Sequence, residues 1–476
     1  MTREEVIQAI RRRASLEGAN FSGLDLSDLT FEGMSLIGAN FSRCSLTGTK
    51  IISCDLKGAD FSYAKIKGGK IESCEASGSK FFGTEIEKVD LNSSRFNSST
   101  FSECRIRDSS FERCDFSSSS FSEFEFQRCE IRECSFAGSR IEMGFFKDTI
   151  APSNSFYSSK LEGVKFENSD LTSSDFSDSS LIDVNFSSSE ISFSSFCNTF
   201  FKNTPLKELK LEGIDFSFAN FVNGDFSKTR LRNVSFLGNE LSSSDFSKTI
   251  IENSKFSLCG MKGINFRDSE VHNSLFHDCS MEKAILENGK VRGSRFEKIS
   301  MRGADFKGCE VLSSSFFKCD MRAASFLYTN FVNTNFEECS VKEADISGAR
   351  FKDTSFPERM LGKTCFYCNT PLKENYCEKC GKEIKIEEFE GKNFFVPYFL
   401  FFLSVITGPF IFLGKAFLNF DFPPYITLYS LSACVIGGGI CELLYIFNPI
   451  FKGKNISRSA ILLSLFYIFY YLMSKM

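Results

Sequence analysis

Every fifth residue across the first three-quarters of the chain is bulky and apolar, in one register without insertion or deletion. The series starts at Leu16, Phe21, Leu26, Phe31, Leu36 and Phe41 and ends at Ile346, Phe351 and Phe356. It makes 69 repeats, of which only Ala76 and Ala151 lack a large side chain. A period of five is neither the 3.6 of a helix nor the 2 of a strand, so the chain has to turn after each unit. One apolar residue per unit cannot be buried within the unit. Successive units must therefore stack, which is the definition of a solenoid.

Two places before each core residue, a small side chain is the rule: Ala19, Ala39, Cys44, Cys54, Ala59, Cys74, Ser94, Cys104 and Ala304 are examples. Position i points inward with bulk, and position i−2 points inward with room for little more than a methyl or a thiol. The other three positions are mostly Ser, Asp, Asn, Glu, Lys, Arg and Gly, as solvated turns require. Gly18-Ala19-Asn20-Phe21-Ser22 and Gly58-Ala59-Asp60-Phe61-Ser62 show the unit plainly. Over about residues 14–356 this pattern resembles the pentapeptide-repeat family, whose unit reads roughly A-(D/N)-(L/F)-x-x. The resemblance implies an all-β solenoid, a right-handed quadrilateral β-helix with four repeats per coil. Such a chain makes about 17 coils and, at about 4.8 Å per coil, a rod roughly 80 Å long.

The core residues test four-sidedness. After about residue 146, Phe alternates with aliphatic residues, as in Phe156, Leu161, Phe166, Leu171, Phe176 and Leu181. Positions ten apart lie on opposite walls of a square coil, so each layer would hold two facing rings and two facing aliphatic groups. Before about Leu91 the phase is reversed, and between Phe96 and Phe126 rings crowd together. Phe124 stands at an i−2 position, where bulk should not fit, and predicts a distorted or widened coil. Further irregularities are expected at Ala151-Pro152 and at Pro205–Leu209. Residues 1–13 read as a capping helix: Thr2-Arg3-Glu4-Glu5 is a capping box ahead of Val6, Ile7 and Ile10 on one face.

Composition bounds the function. Twelve of the nineteen cysteines fall in the inward i−2 column, where Cys acts as a small hydrophobe. Cys54 and Cys74 stand one coil apart in that column. Met1 to Arg13 offers no apolar stretch of a secretory signal, and reduced thiols point to the cytosol. Residues 357–476 hold 12 basic and 9 acidic residues, which leaves 44 and 51, a net of about −7, for residues 1–356. Some relatives by resemblance mimic duplex DNA and occupy a topoisomerase. A mimic needs a dense run of carboxylates to match one charge per about 1.7 Å of duplex, whereas acids and bases are interspersed here. No catalytic constellation, phosphate loop or dinucleotide fingerprint is present. The two histidines, His272 and His277, fall on outward positions of adjacent walls. One outward patch stands out as a candidate docking surface: Leu312 and Val332 in one column, with Phe317, Leu327 and Tyr328 nearby.

After a linker at 357–363, residues 364–390 carry Cys365-Phe-Tyr-Cys368 and, eight residues on, Cys377-Glu-Lys-Cys380 followed by Gly381. Two CxxC pairs supply four soft ligands to one tetrahedral Zn²⁺, and a site closed by four thiolates is structural. The stretch resembles a short zinc ribbon. Residues 394–476 change character again, with apolar runs at about 394–414, 425–447 and 459–473 that read as three membrane-spanning helices. Lys379, Lys382, Lys385 and Lys392 flank the first span and Lys452, Lys454 and Arg458 join the second to the third, against Lys415 and Lys475 on the other side. That bias places the rod and ribbon in the cytoplasm. Glu442 is the one intramembrane acid and by default a functional candidate. The reading that follows is an integral membrane protein without enzymatic activity: a cytoplasmic scaffold or protein-interaction rod, with zinc as structural cofactor. The lipid bilayer and another protein are its partners, nucleic acid is disfavoured, and an oligomer is compatible. The alternatives are a DNA-mimicking, topoisomerase-binding regulator and a regulatory subunit of a membrane transport or signalling assembly.

Overall fold

A computed structural model describes residues 1–356 of the chain. Cys365, Cys368, Cys377 and Cys380, read above as a zinc ribbon, the three apolar runs and Glu442 lie outside the described residues. Within 1–356 the chain is one parallel solenoid with a step of twenty residues. Thr30–Glu32 pairs with Lys50–Ile52, Lys65–Glu72 with Glu85–Asn92, and Asn330–Val332 with Arg350–Lys352, all in parallel. Sixteen such steps separate Phe21 from Val341, so the solenoid makes about 16 turns. Four repeats per step give four walls. Their core columns begin at Phe21 (wall 1), Leu26 (wall 2), Phe31 (wall 3) and Leu36 (wall 4).

The corners have one backbone rule. Every i+2 residue from Gly18 to Asp353 lies at positive φ. A left-handed residue bends the chain sharply, which turns one wall into the next, but costs a non-glycine residue roughly 1–2 kcal/mol. Gly and Asn recur at these positions for that reason, as at Gly58, Gly138, Asn198 and Asn253. An Asp or Asn at i−1 then fastens the turn from outside: Asp60 Oδ1 accepts the N–H of Ser62 at 2.9 Å, and Asp345 Oδ1 that of Ser347 at 2.9 Å.

The interior is filled by side-chain columns. Rings stack coil upon coil with centroids 4.8 Å apart for Phe41 and Phe61 and 4.7 Å for Phe156 and Phe176. Across the channel they meet edge-on, as Phe166 and Phe176 do at 6.5 Å. The alternation therefore places Phe on facing walls, as the sequence predicts. The i−2 column does more than stay small. In the run from Ser79 to Ser179, each serine one coil on accepts the backbone N–H of its predecessor, for instance Ser79 N–H to Ser99 Oγ at 3.0 Å. Each hydroxyl also donates to a core-residue carbonyl 23 positions earlier, as Ser99 does to Ala76 O at 3.0 Å. Buried backbone groups are thereby satisfied at corners that no strand ladder reaches.

Phe124 departs from the expectation of a distorted coil. Glu125–Gln127 keeps its register with both Arg105–Arg107 below and Phe145–Lys147 above. Phe124 is fully buried, and the space comes from Gly144 one coil on, where any Cβ would run into the Phe124 ring. Ala151-Pro152 does not interrupt the solenoid either: Ile150 bridges both Glu130 and Asp170. At Pro205 the expectation holds. Asn185 bridges Lys165 but not Pro205, which has no N–H to give, and the column's bridges resume only at Asp225 with Asp245.

The N-terminal helix α1 (Arg3–Arg11) forms as its capping box requires, with Thr2 N–H donating to Glu5 Oε2 at 2.8 Å and Glu5 N–H to Thr2 Oγ1 at 3.3 Å. Val6 is fully buried against the first coil, and Arg3 donates to the Ser27 carbonyl at 2.7 Å. The helix thus closes one open end of the stack.

Candidate interaction surface

All outward chemistry sits on a lattice fixed by the twenty-residue step. Charged residues use that step as well. Lys67 pairs with Glu87 at 2.9 Å, Arg128 with Asp108 at 2.7 Å, and Lys290 with Glu270 at 2.8 Å, each partner one coil away. Such ladders explain the interspersed acids and bases. The carboxyls of Glu87, Asp108 and Glu270 are held below their ordinary range, chiefly by the hydrogen bonds these cations donate.

The patch expected at Leu312, Phe317, Leu327, Tyr328 and Val332 is divided. Leu312 pairs directly with Val332 on wall 3, between Arg292 on one side and Lys352 on the other. Leu327 and exposed Tyr328 sit at the corner leading to that wall, so these four share one neighbourhood. Phe317 faces out from wall 4, half-buried, with the Lys318 ammonium 4.9 Å over its ring. The histidines stay apart in their chemistry: His272 lies 3.4 Å from Glu270, and His277 lies 3.1 Å from Asp278. Among the described residues no group of three or more potential ligands comes together, and no helix is long and apolar enough to cross a membrane.

One arrangement escapes a reading based on the core column alone. Aromatic residues occupy the left-handed corner at Tyr63, Phe193, Phe218 and Tyr328, and a glycine occupies the same corner one coil on, at Gly83, Gly213, Gly238 and Gly348. Each ring covers its glycine; a Cβ on Gly83 would stand 2.9 Å from Tyr63 and one on Gly238 2.8 Å from Phe218. The signal was present as an aromatic at i+2 with glycine twenty residues later. Near Tyr63, a groove of about 910 Å³ runs along the corner between walls 1 and 2 past Glu103, Glu123, Met143 and Phe145. Its wall 2 side is self-neutralised by pairs such as Arg107–Glu125 at 3.0 Å.

Of the thirteen cysteines in the described residues, twelve are buried and Cys197 is half-exposed on wall 4. Burial pushes the thiols of Cys44 and Cys129 up to about 11 and those of Cys74, Cys104 and Cys309 up to about 12. Cys197 is raised by its partial burial and by Asp215, whose Oδ2 accepts its S–H at 3.2 Å. These six thiols are favoured in their neutral form.

Comparison with known proteins identifies the repeat. The family model described as pentapeptide repeat region matches residues 229–306 and 290–366. The model described as pentapeptide repeats (8 copies) matches six stretches, from 14–51 to 201–238. No curated protein matches the sequence. Among solved structures, HetL, a pentapeptide repeat protein involved in heterocyst differentiation regulation in Nostoc sp. strain PCC 7120, is similar at 11% identity. That match covers 49% of this chain and 96% of HetL, with a TM-score of 0.20. Full-length QnrB1, a plasmid-mediated fluoroquinolone resistance protein, is similar at 14% identity over 40% of this chain and 92% of its own, with a TM-score of 0.20. A pentapeptide repeat protein of the Arabidopsis thaliana thylakoid lumen is similar at 21% identity over 31% and 84%, with a TM-score of 0.18.

Proposed function

The chain belongs to the pentapeptide-repeat proteins, and from that premise we propose that it works without catalysis, as a membrane-tethered rod whose walls dock a protein partner. The observation that carries this reading is the division of labour in the repeat. The interior is packed solid with rings, methyls and thiols, so the chemistry left for recognition is the outward lattice of side chains at a fixed coil spacing. A rigid lattice pre-organises contacts and spares a partner the cost of ordering them. The interspersed ion-pair ladders favour a protein partner over the mimicry of DNA, because carboxylates bound to their own lysines and arginines present no continuous anionic track.

The remaining parts of this reading rest on the sequence. Cys365, Cys368, Cys377 and Cys380 would hold one structural Zn²⁺, and the apolar runs at 394–414, 425–447 and 459–473 would anchor the rod with its walls facing the cytoplasm. A photo-crosslinking residue placed at Ser122, Gln127, Thr172 or Ser177, one on each wall, tests the docking role in the full chain within its own cell. A discrete protein adduct from at least one wall is the expected result. Adducts no stronger than background from all four walls would overturn it.

A further inference from the structure

Wall 4 differs from the other walls in a way that its core does not require. From Asp115 to Asn253, the outward positions of wall 4 and its two corners carry no lysine or arginine. Over the same coils wall 2 and its far corner carry Arg128, Lys147, Lys165, Lys207 and Lys228. Wall 4 keeps acids instead: Asp115, Glu133, Asp175, Asp178 and Asp215. None of these belongs to an ion pair among the described residues. Asp115, Asp175 and Asp215 accept neighbouring serine N–H groups at 2.9 Å, and Asp178 accepts the Asn198 amide. Of the bases nearest the edges, Arg113 is engaged by Glu112 at 2.9 Å, Arg140 by Glu142 at 2.6 Å and Lys160 by Glu162 at 2.6 Å, while exposed Lys255, next to Ser235 in the ladder, ends the stripe.

The same face exposes apolar side chains. Phe193 is 60% exposed on the corner that enters wall 4, and Phe218 is 59% exposed on the corner that leaves it one coil later. Leu258, 60% exposed, follows two coils after Phe218 in the same corner column, across Gly238. Leu237 lies between them and pairs in the ladder with Ser257. Ser257 is an outward residue of this wall, yet it is covered to 6% exposure and its hydroxyl has no hydrogen-bond partner. Exposed aromatic and aliphatic groups set close together around a buried, unsatisfied hydroxyl mark a face made to be covered.

We infer that the base-free part of wall 4, from Asp115 to Asn253, with the Leu258 corner at its edge past Lys255, is the docking face and that its occupant is a cationic protein segment: apolar side chains cover Phe218, Leu237 and Leu258 while lysines or arginines meet the unpaired carboxylates. The assignment rests on the docking reading above and narrows it to one wall and one partner chemistry. Charge selects the partner, because a base-free stripe six coil steps long, about 29 Å, attracts cations and repels phosphate-bearing nucleic acid or anionic lipid. The apolar cluster supplies the affinity, as buried anchors do at interfaces generally.

Two soluble fluorescent peptides test this against the purified full chain in neutral-lipid nanodiscs, one alternating Arg and Leu, the other alternating Glu and Leu. The Arg peptide is expected to bind, to weaken as salt rises, and to lose at least tenfold in affinity with Phe218→Asn/Leu258→Asn. Asparagine already holds the same left-handed position at 198, 233 and 253, so the corners should fold. A second variant, Ser195→Lys/Ser235→Lys, adds cations without removing any apolar contact and should give a similar loss. Tyr63→Asn, on a different corner, should leave binding unchanged. Failure of the Arg peptide to bind the wild-type chain, equal binding by all variants, or preference for the Glu peptide would each overturn the assignment. Crosslinks from walls 1 to 3 alone would sink it too while leaving the docking reading intact; silence from every wall would remove both.

Discussion

Gly144 shows how a single residue reconciles an exception with a repeat. Phe124 brings a ring into a column built for methyls and thiols, and the coil above gives up its side chain altogether. The pair should therefore behave as a unit. Gly144→Ala forces a methyl into the Phe124 ring and is expected to cost about 1–3 kcal/mol, as overpacked cores do. Phe124→Ala opens a cavity and costs about 3–5 kcal/mol. In the double variant the new methyl enters vacated space, so the sum of the single losses should overstate the double loss by more than about 1 kcal/mol in a denaturant cycle. Additive losses would show that the two residues do not share the space. The serines of the i−2 column make a related point, because each is selected for a hydroxyl that accepts one backbone N–H and donates to one carbonyl as much as for its size.

At the scale of elements, strands here are three-residue pieces, apart from the eight-residue Lys65–Glu72 and Glu85–Asn92, and would not survive alone; the ladder on either side gives them permanence. The exposed first coil depends on α1. Thr2→Ala removes the acceptor for Glu5 N–H and is expected to destabilise the helix by about 1 kcal/mol. Because contacts in a stack run between nearest neighbours, the effect should be local. Hydrogen exchange should speed up in α1 and at the amides of Leu16 to Leu36, with little change beyond Phe61. Uniform acceleration along the rod would contradict a nearest-neighbour stack.

For the whole molecule, the thiol-lined corners predict an alkaline limit. Cys104 and Cys309 have folded values pushed up to about 12 by burial, above the ordinary value near 9. Below pH 9 these thiols are neutral whether folded or not, and their contribution to stability is fully present. As pH rises from 9 toward 12 the unfolded chain ionises first, so stability is lost across that window. Wild-type chain under reducing conditions should show a lower urea midpoint at pH 10.5 than at pH 8. Cys104→Ala/Cys309→Ala should show a smaller drop, since alanine already fits the same column at Ala64. An identical drop in both proteins would place the alkaline sensitivity elsewhere.

The sequence alone determined the solenoid, its register and its inside and outside, because a period of five held from Leu16 to Phe356 leaves only one way to bury so many large side chains. It also located the capping helix and the lapse at Pro205, since a capping box and a missing N–H are local facts. Tertiary structure decided what depends on contacts twenty residues apart. Phe124 fits without distortion because of Gly144. Leu312 and Val332 join Tyr328, while Phe317 turns to another wall. The base-free face of wall 4 emerges only when residues from seven coils are laid side by side. Local pattern fixes which way a side chain points; the step between coils fixes what it meets there.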